Sequence, residues 1–426
     1  MKRTPFLKLI LLAFAGGLLL SVAAKENAAA GEPEILSLDS AIQIALQANA
    51  ELQAASGRVE AASARAYQAR AWANPEVEIG VDDWPVRESG GYSRSKRTIG
   101  LSQSVPFPGK RSLEKQIGAA GVKVSSGELA DFRADLIRDV KIWFFRVIAL
   151  ENQVKVQAEL QESAEASASI AKKRVDNGAA PYPEQLRAEV QVEQTRTKST
   201  DLKRDLALAQ RCLAALLGRT KLERLRLTGV LVDKENAALT NGFTAEMLNQ
   251  HPRLQTAQAN VERAELGYRR ARLEPYPDVR VGVAGGRVGE ENEAIGQVTL
   301  SVPVPVWDRG TGKRREAKAD VAVATAELQK ARQQLLRDWA NAVQRYRTAS
   351  EQVAAYREKI LPRTAEALRL VCAGFEEGKF GFTDLADTQR TTGEVQMAYQ
   401  EKLLELNEAQ AELEALLPSE QVNRTN

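Results

Sequence analysis

A chain of 426 residues with 44% hydrophobic but only 5% aromatic content has the composition of long packed helices, not of a large globular core. Its 59 basic and 56 acidic residues leave a net charge of +3, and the signs alternate along the chain, which gives a nucleic-acid role no support. Length alone suggests two or three ordinary domains; the repetition found along the chain argues instead for one elongated fold of two like halves.

Met1 to Ala24 reads as an export signal. Lys2 and Arg3 precede an apolar core from Phe6 to Leu20, and Val22-Ala23-Ala24 offers a cleavage site, with Ala28-Ala29-Ala30 as a second. The mature chain is expected to start at Lys25 or Gly31, without lipid, because no cysteine lies at either site. The apolar core is short for a spanning helix. Residues 25–37 read as a linker. Residues 38–218 read as a first structural repeat, opened by Leu38-Asp39-Ser40, which caps a helix running to about Ala73. Asn74-Pro75 ends that helix.

Strands are predicted over about residues 75–106. Val77 and Ile79 alternate with Glu78 and Gly80, and Ile99 and Leu101 alternate with small or polar residues. Trp84 and Tyr92 between them fit an external loop or an interfacial aromatic girdle equally. Pro106 and Pro108 then turn the chain out of the sheet. From Lys110 to Asp176 there is no proline, and Leu136, Val140, Trp143, Val147, Leu150 and Val154 recur at the spacing of a coiled-coil seam. Such a helix is a rod of roughly 100 Å. Asn177-Gly178-Ala179-Ala180-Pro181 stops it, and a return helix runs from about Pro183 to Leu217.

Residues 219–243 read as an equatorial connector near the rod's middle, with one short strand within Leu225–Val232. A second repeat then spans 244–417. Leu254, Val261 and Ala271 match Leu52, Val59 and Ala69. Strands over about 277–306 carry Val281, Val283, Val298, Leu300 and Val302 in alternation with Gly282, Gln297 and Thr299. Ser301-Val-Pro-Val-Pro305 matches Ser104-Val-Pro-Phe-Pro108, and Gly312-Lys-Arg314 matches Gly109-Lys-Arg111. A long helical run from Lys313 to Glu377 is interrupted by Pro362, turns at Gly378-Lys379-Phe380-Gly381, and returns from Phe382 to Leu417. Residues 418–426 read as a polar tail. An internal duplication is the simplest account.

Alternating strands suit a half-buried soluble sheet as well as a membrane barrel; four of them behind an export signal favour the barrel. On that reading Val77, Ile79, Ile99, Leu101, Val281, Val283, Val298, Leu300 and Val302 face lipid, while Arg280, Gln297 and Thr299 face a wet lumen. Four strands cannot close a barrel, so a trimer supplying twelve is required. No catalytic constellation is evident: His251 stands alone before Pro252, Cys212 and Cys372 lie about 40 Å apart along the rod, and no cofactor or metal site is expected.

The order of helix, strand pair, long helix, turn and helix, twice over, resembles the TolC-type outer-membrane efflux factors from about Leu36 to Leu417. The corners Gln103 to Arg111 and Val302 to Gly312 are similar to those of the CzcC-like heavy-metal branch. The resemblance implies a membrane α+β fold, with a trimeric twelve-stranded barrel and a periplasmic helical tunnel in a Gram-negative outer membrane. It implies an exit duct, not an enzyme, that conducts cargo passively in a tripartite pump, with divalent heavy-metal cations as the cargo. The partners implied are a periplasmic adaptor and an inner-membrane resistance-type pump. A periplasmic adaptor or coiled-coil scaffold is the alternative. By the same resemblance, Asn177, Gly178 and Ala179 with Glu377, Gly378 and Lys379 form an adaptor-docking tip; plain helix stops are the other reading. Asp176, Glu184, Glu376, Asp384 and Asp387 around the turns are candidates for an acidic ring, repeated threefold, that favours cations.

Overall fold

The computed structural model describes residues 34–83, 94–219, 225–234, 236, 239 and 245–417. The expected export signal, most of the 25–37 linker, Trp84, Tyr92 and the polar tail lie outside them. No helix among the described residues is long and apolar enough to cross a membrane.

The linker assigned as far as residue 37 ends in a strand instead. Glu34–Ser37 forms β1, because its backbone finds a parallel partner 191 positions away, Glu34 opposite Leu225. The helix predicted to run unbroken to Ala73 is two helices, α1 (Leu38–Ala48) and α2 (Ala50–Gln68). Asn49 separates them: its Oδ1 caps α2 by accepting from Leu52 N–H at 3.0 Å, and its amide donates to the Leu216 carbonyl at 3.1 Å.

After β2 (Glu76–Asp82) and β3 (Lys96–Val105), the rod α3 occupies Lys110–Asp176, 67 residues, as the seam predicts. The return helix α4 is Tyr182–Leu216. β4 (Leu225–Thr228) completes the two-stranded sheet with β1. Helices α5 (Ala245–Gln250) and α6 (Pro252–Ala271) lead to β5 (Val279–Val288) and β6 (Glu293–Ser301). The second rod is α7 (Thr311–Ala355), a π-helical turn (Tyr356–Ile360) and α8 (Leu361–Glu376). The wide turn precedes Pro362, whose ring would clash with the carbonyl four residues back in a regular helix. α9 (Phe382–Leu416) returns. Gly109 and Gly310 hold the left-handed starts of α3 and α7, with φ of 95° and 66°. The matched corner glycines are therefore Gly109 and Gly310, not Gly109 and Gly312, which lies inside α7.

Mid-rod, α1, α3, the end of α4, α7 and the end of α9 enclose the main core. Val140, Phe144, Val147, Leu213, Leu335, Tyr346, Val353, Leu406 and Leu413 are almost wholly buried there. Shortening one of the larger chains to alanine costs about 2–5 kcal/mol. The connector crosses this level. Asn407, 1% exposed, accepts from Val232 N–H and donates to Val232 O, both at 3.0 Å. Arg357 holds Asp233 at 3.1 Å, and the Tyr346 hydroxyl accepts from Asn236 N–H at 2.7 Å.

The predicted hairpins merge into one antiparallel sheet of order β2-β3-β5-β6. The chain's two halves thus meet at β3–β5, and among the described residues β2 and β6 each have an unpaired outer edge. The corner is tied across the repeats. Asp278 Oδ1 accepts from Phe107 N–H and from buried Lys110 Nζ, each at 2.8 Å, and Phe107 stacks on Tyr276 at 4.7 Å.

Candidate functional site

Two surfaces carry the candidate chemistry: the sheet and the paired turns. Cross-strand register puts Val77, Leu101, Val283 and Val298 in one row, Ile79 and Ile99 in the next, and Val281 opposite Leu300 in a third. Residues directly opposite share a face, so these apolar side chains form one surface. They are 41–80% exposed. On the other face, Ser102 donates to Glu78 at 2.6 Å, Arg280 pairs with Glu76 at 2.8 Å, and Gln297 accepts from Lys96 at 3.0 Å. Val302 does not belong to this ladder. Pairing ends at Arg280 opposite Ser301, and Pro303 has no N–H with which to continue it.

The two turns lie together at one end of the rods. Ala171 and Ala188 of the first hairpin pack with Phe375, Phe382 and Leu385 of the second, and the Arg174 guanidinium lies 5.0 Å over the Phe375 ring. The turns have one geometry. Gly178 and Gly378 have φ of 72° and 76°. Gly178 N–H donates to Val175 O at 2.9 Å and Ala179 N–H to Arg174 O at 2.7 Å; Gly378 and Lys379 repeat this toward Phe375 and Gly374. Asn177 and Glu377 are the helix C-caps. All three residues of each trio are exposed, and Lys379 is ion-paired with Glu377. The second turn differs in one respect that the sequence pattern does not announce: Phe380 lies against Gly374, where a β-carbon would collide with its ring.

The five carboxylates are not equivalent. Asp384 accepts from Gly381 N–H at 3.0 Å and caps α9. Asp387 pairs with Arg390 at 2.6 Å, and Glu184 sits 3.5 Å from Arg174. Asp176 is exposed at the end of α3. Glu376 ends α8, and its side chain lies outside the described set.

A charged hub missed by sequence reasoning joins the rods nearer the sheet. Arg253 Nε reaches Asp131 at 2.9 Å and Nη2 reaches Asp135 at 3.0 Å, with Asp338 at 3.8 Å. Desolvation raises the Asp131 pKa despite Arg253. His251, 3% exposed, caps α6 by accepting from Arg253 N–H at 3.2 Å. Burial, with the neighbouring Arg253 charge, lowers its pKa to about 4. The His-Pro-Arg spacing was the available signal; Asp131 and Asp135 lie more than a hundred residues upstream and Asp338 lies on the second rod. Neither Cys212 nor Cys372 forms a disulfide.

The family model described as outer membrane efflux protein matches residues 41–219 and 244–418. The chain belongs to the outer membrane efflux protein family. Among this member's relatives is the cobalt-zinc-cadmium resistance protein CzcC of Cupriavidus metallidurans, 25% identical over 368 residues, covering 85% of each chain. Another is the toluene efflux pump outer membrane protein TtgF of Pseudomonas putida, 25% identical over 82% of this chain and 76% of that one. The solved structure of the outer membrane protein VceC from Vibrio cholerae superposes with a TM-score of 0.75 at 16% identity, covering 89% of this chain and 95% of VceC. The fold is TolC-like, with a helical tunnel, and the protein is an outer-membrane efflux channel. Membership displaces the adaptor or scaffold alternative.

Proposed function

We propose that three copies of this chain form the exit duct of a tripartite pump. The carrying observation is a four-stranded sheet with one exposed apolar face, one polar face and, among the described residues, two unpaired edges. Unpaired edges are costly in lipid. Pairing β6 of one copy with β2 of the next removes every edge and closes twelve strands. Val77, Ile79, Ile99, Leu101, Val281, Val283, Val298 and Leu300 then face lipid, and Glu78, Arg280, Gln297 and Thr299 line water.

The paired turns are the end that meets a periplasmic adaptor, through Asn177, Gly178, Ala179, Glu377, Gly378 and Lys379. Cargo passes passively from an inner-membrane resistance-type pump, and divalent heavy-metal cations are the cargo favoured by similarity to CzcC. Of the acidic set, Asp176 is the best candidate for a cation-favouring ring, since Glu184, Asp384 and Asp387 have partners within the chain. The repeats are residues 38–218 and 244–417, joined by the connector. Cleavage after residue 24 or 30 leaves an unlipidated mature chain; an intact mass retaining Met1, or carrying a lipid adduct, would contradict this.

The test is an unheated SDS gel of outer-membrane fractions, joined to a resistance assay in cells lacking their own copy. The duct reading expects a heat-sensitive trimer and restored tolerance of cobalt, zinc or cadmium. A soluble monomer sinks the duct. Restored tolerance of toluene without any effect on cations sinks the cargo assignment.

A further inference from the structure

Toward the turns the two hairpins match residue for residue. Gly178 and Gly378 share one turn geometry, and α4 and α9 are both 35 residues long, starting at Tyr182 and Phe382. Tyr182, Leu186 and Glu189 therefore stand on α4 where Phe382, Ala386 and Gln389 stand on α9. By the same match, Arg363, Ala367 and Val371 of α8 stand where Ser163, Ser167 and Ala171 stand on α3.

Within the chain, this level of the first half meets the second through α3 and α9. Gln389 donates to the Ser163 and Ser167 hydroxyls, each at 3.0 Å. Phe382, 5% exposed, belongs to the cluster that holds Ala171. Helix α9 thus packs on α3 with one face and on α8 with another. Helix α4 packs on α3, but its face equivalent to the α3-facing side of α9 is open. Tyr182 is 59% exposed and Leu186 43%, and Glu189 is exposed too. The matching face of α8 is open as well, with Arg363 and Ala367 exposed.

The two open faces are complementary. Where the joint inside the chain has a neutral amide on two hydroxyls, the open faces carry a carboxylate on α4 and a guanidinium on α8. Among the described residues Arg363 has no ion-pair partner, and Glu189 accepts from Gln185 of its own helix at 2.9 Å. Gln389 Nε2 touches the Ser163 hydroxyl, so a carboxylate in its place comes within reach of an arginine at the serine's position. Tyr182 and Leu186 supply apolar area to bury. An exposed ion pair adds little affinity, but it selects which faces meet.

We propose that α4 of one copy packs on α8 of the next, with Glu189 paired to Arg363 and Tyr182 laid against Val371. The joint between copies then repeats the joint between the halves of one chain, and the occupant of both open faces is a second copy. This rests on the three-copy reading.

The test replaces Tyr182 by the photocrosslinker p-benzoylphenylalanine in cells and maps the adducts by mass spectrometry of the heated, denatured protein. The expected product is a copy-to-copy adduct on the peptide Leu361–Glu376. An assembled trimer that yields no adduct, an adduct elsewhere on the chain, or an adduct to a different protein alone overturns the inference. Should that variant fail to assemble, Leu186 carries the probe with the same expectation. The charge pair is read separately, by hydrogen exchange over Leu361–Glu376 in the detergent-purified trimer. Arg363→Glu should speed exchange about two- to fivefold, and Arg363→Glu with Glu189→Arg should return it to the wild-type rate. No change in the single reversal, or no recovery in the exchanged pair, overturns the pairing. A wild-type trimer that fails these arms removes this inference and leaves the three-copy reading standing. A wild-type chain that forms no trimer removes both.

Discussion

Val298→Arg should abolish assembly where Thr299→Arg does not. The two residues are neighbours on β6, so edge position and strand context are shared and only the face differs. Val298 is 80% exposed and stands in the row Val77–Leu101–Val283–Val298, two rows from Arg97–Arg287 and two from Val105–Val279. That is the middle of the apolar band. Arginine on the lipid face at the midplane costs about 2–4 kcal/mol. A symmetric trimer carries it three times, roughly 6–12 kcal/mol in all, which is more than four powers of ten in the assembly constant. Thr299 shares its face with Ser102 and Gly282, beside the charged Glu78 and Arg280, where a further guanidinium stays in water. The assay is the SDS-resistant trimer in unheated outer-membrane fractions, normalised to total chain. Equal trimer yields for the two variants would refute the face assignment and, with it, the barrel.

The double substitution Gly178→Glu, Gly378→Glu should leave the trimer intact, because an added β-carbon meets nothing within 4 Å at either site and the left-handed backbone costs only about 1–2 kcal/mol per turn. Resistance and adaptor cross-linking should fail together; normal resistance at full expression leaves the turns as plain helix stops. The His251 pKa falls from 6.5 to about 4 on folding, so the folded state disfavours the protonated ring. Its stabilising contribution is complete above pH 6.5 and is lost as pH drops toward 4, about 3 kcal/mol per chain. Thermal melts of His251→Asn, which keeps a capping oxygen, should be flatter across that window than wild type, and parallel curves would count against the assignment. Asn407→Ala should strip both partners from Val232 and lower stability by about 2–4 kcal/mol, seen as earlier unfolding in denaturant and faster proteolysis of residues 229–234.

Much of the architecture could be read along the chain because its signals are local. A seam of Leu136, Val140 and Val147 without proline defines α3, and a glycine in the same place in both repeats defines the two turns. Strict alternation in β3 and β5 told which residues share a face, since a strand's side chains reverse at every step whatever surrounds it. Pro362 was visible as an interruption of the second rod, whereas the break at Asn49 was not read from the sequence; the break at one and the π-helical turn at the other depend on what packs there.

Tertiary structure decided what distant segments do to each other. Only folding brings β1 beside β4, β3 beside β5, and Arg174 over Phe375, because each contact joins positions with no mutual spacing rule. The same holds for polar groups. Asp384 reads as a candidate ring carboxylate until its oxygen is found capping α9, and nothing in the sequence marks Arg253 as a hub until Asp131 and Asp135 arrive from another helix. Sequence periodicity therefore set the rods, the turns and the faces of the strands, each governed by backbone geometry over a few residues. Which charges are spent inside the chain and which remain for a partner followed from long-range packing alone.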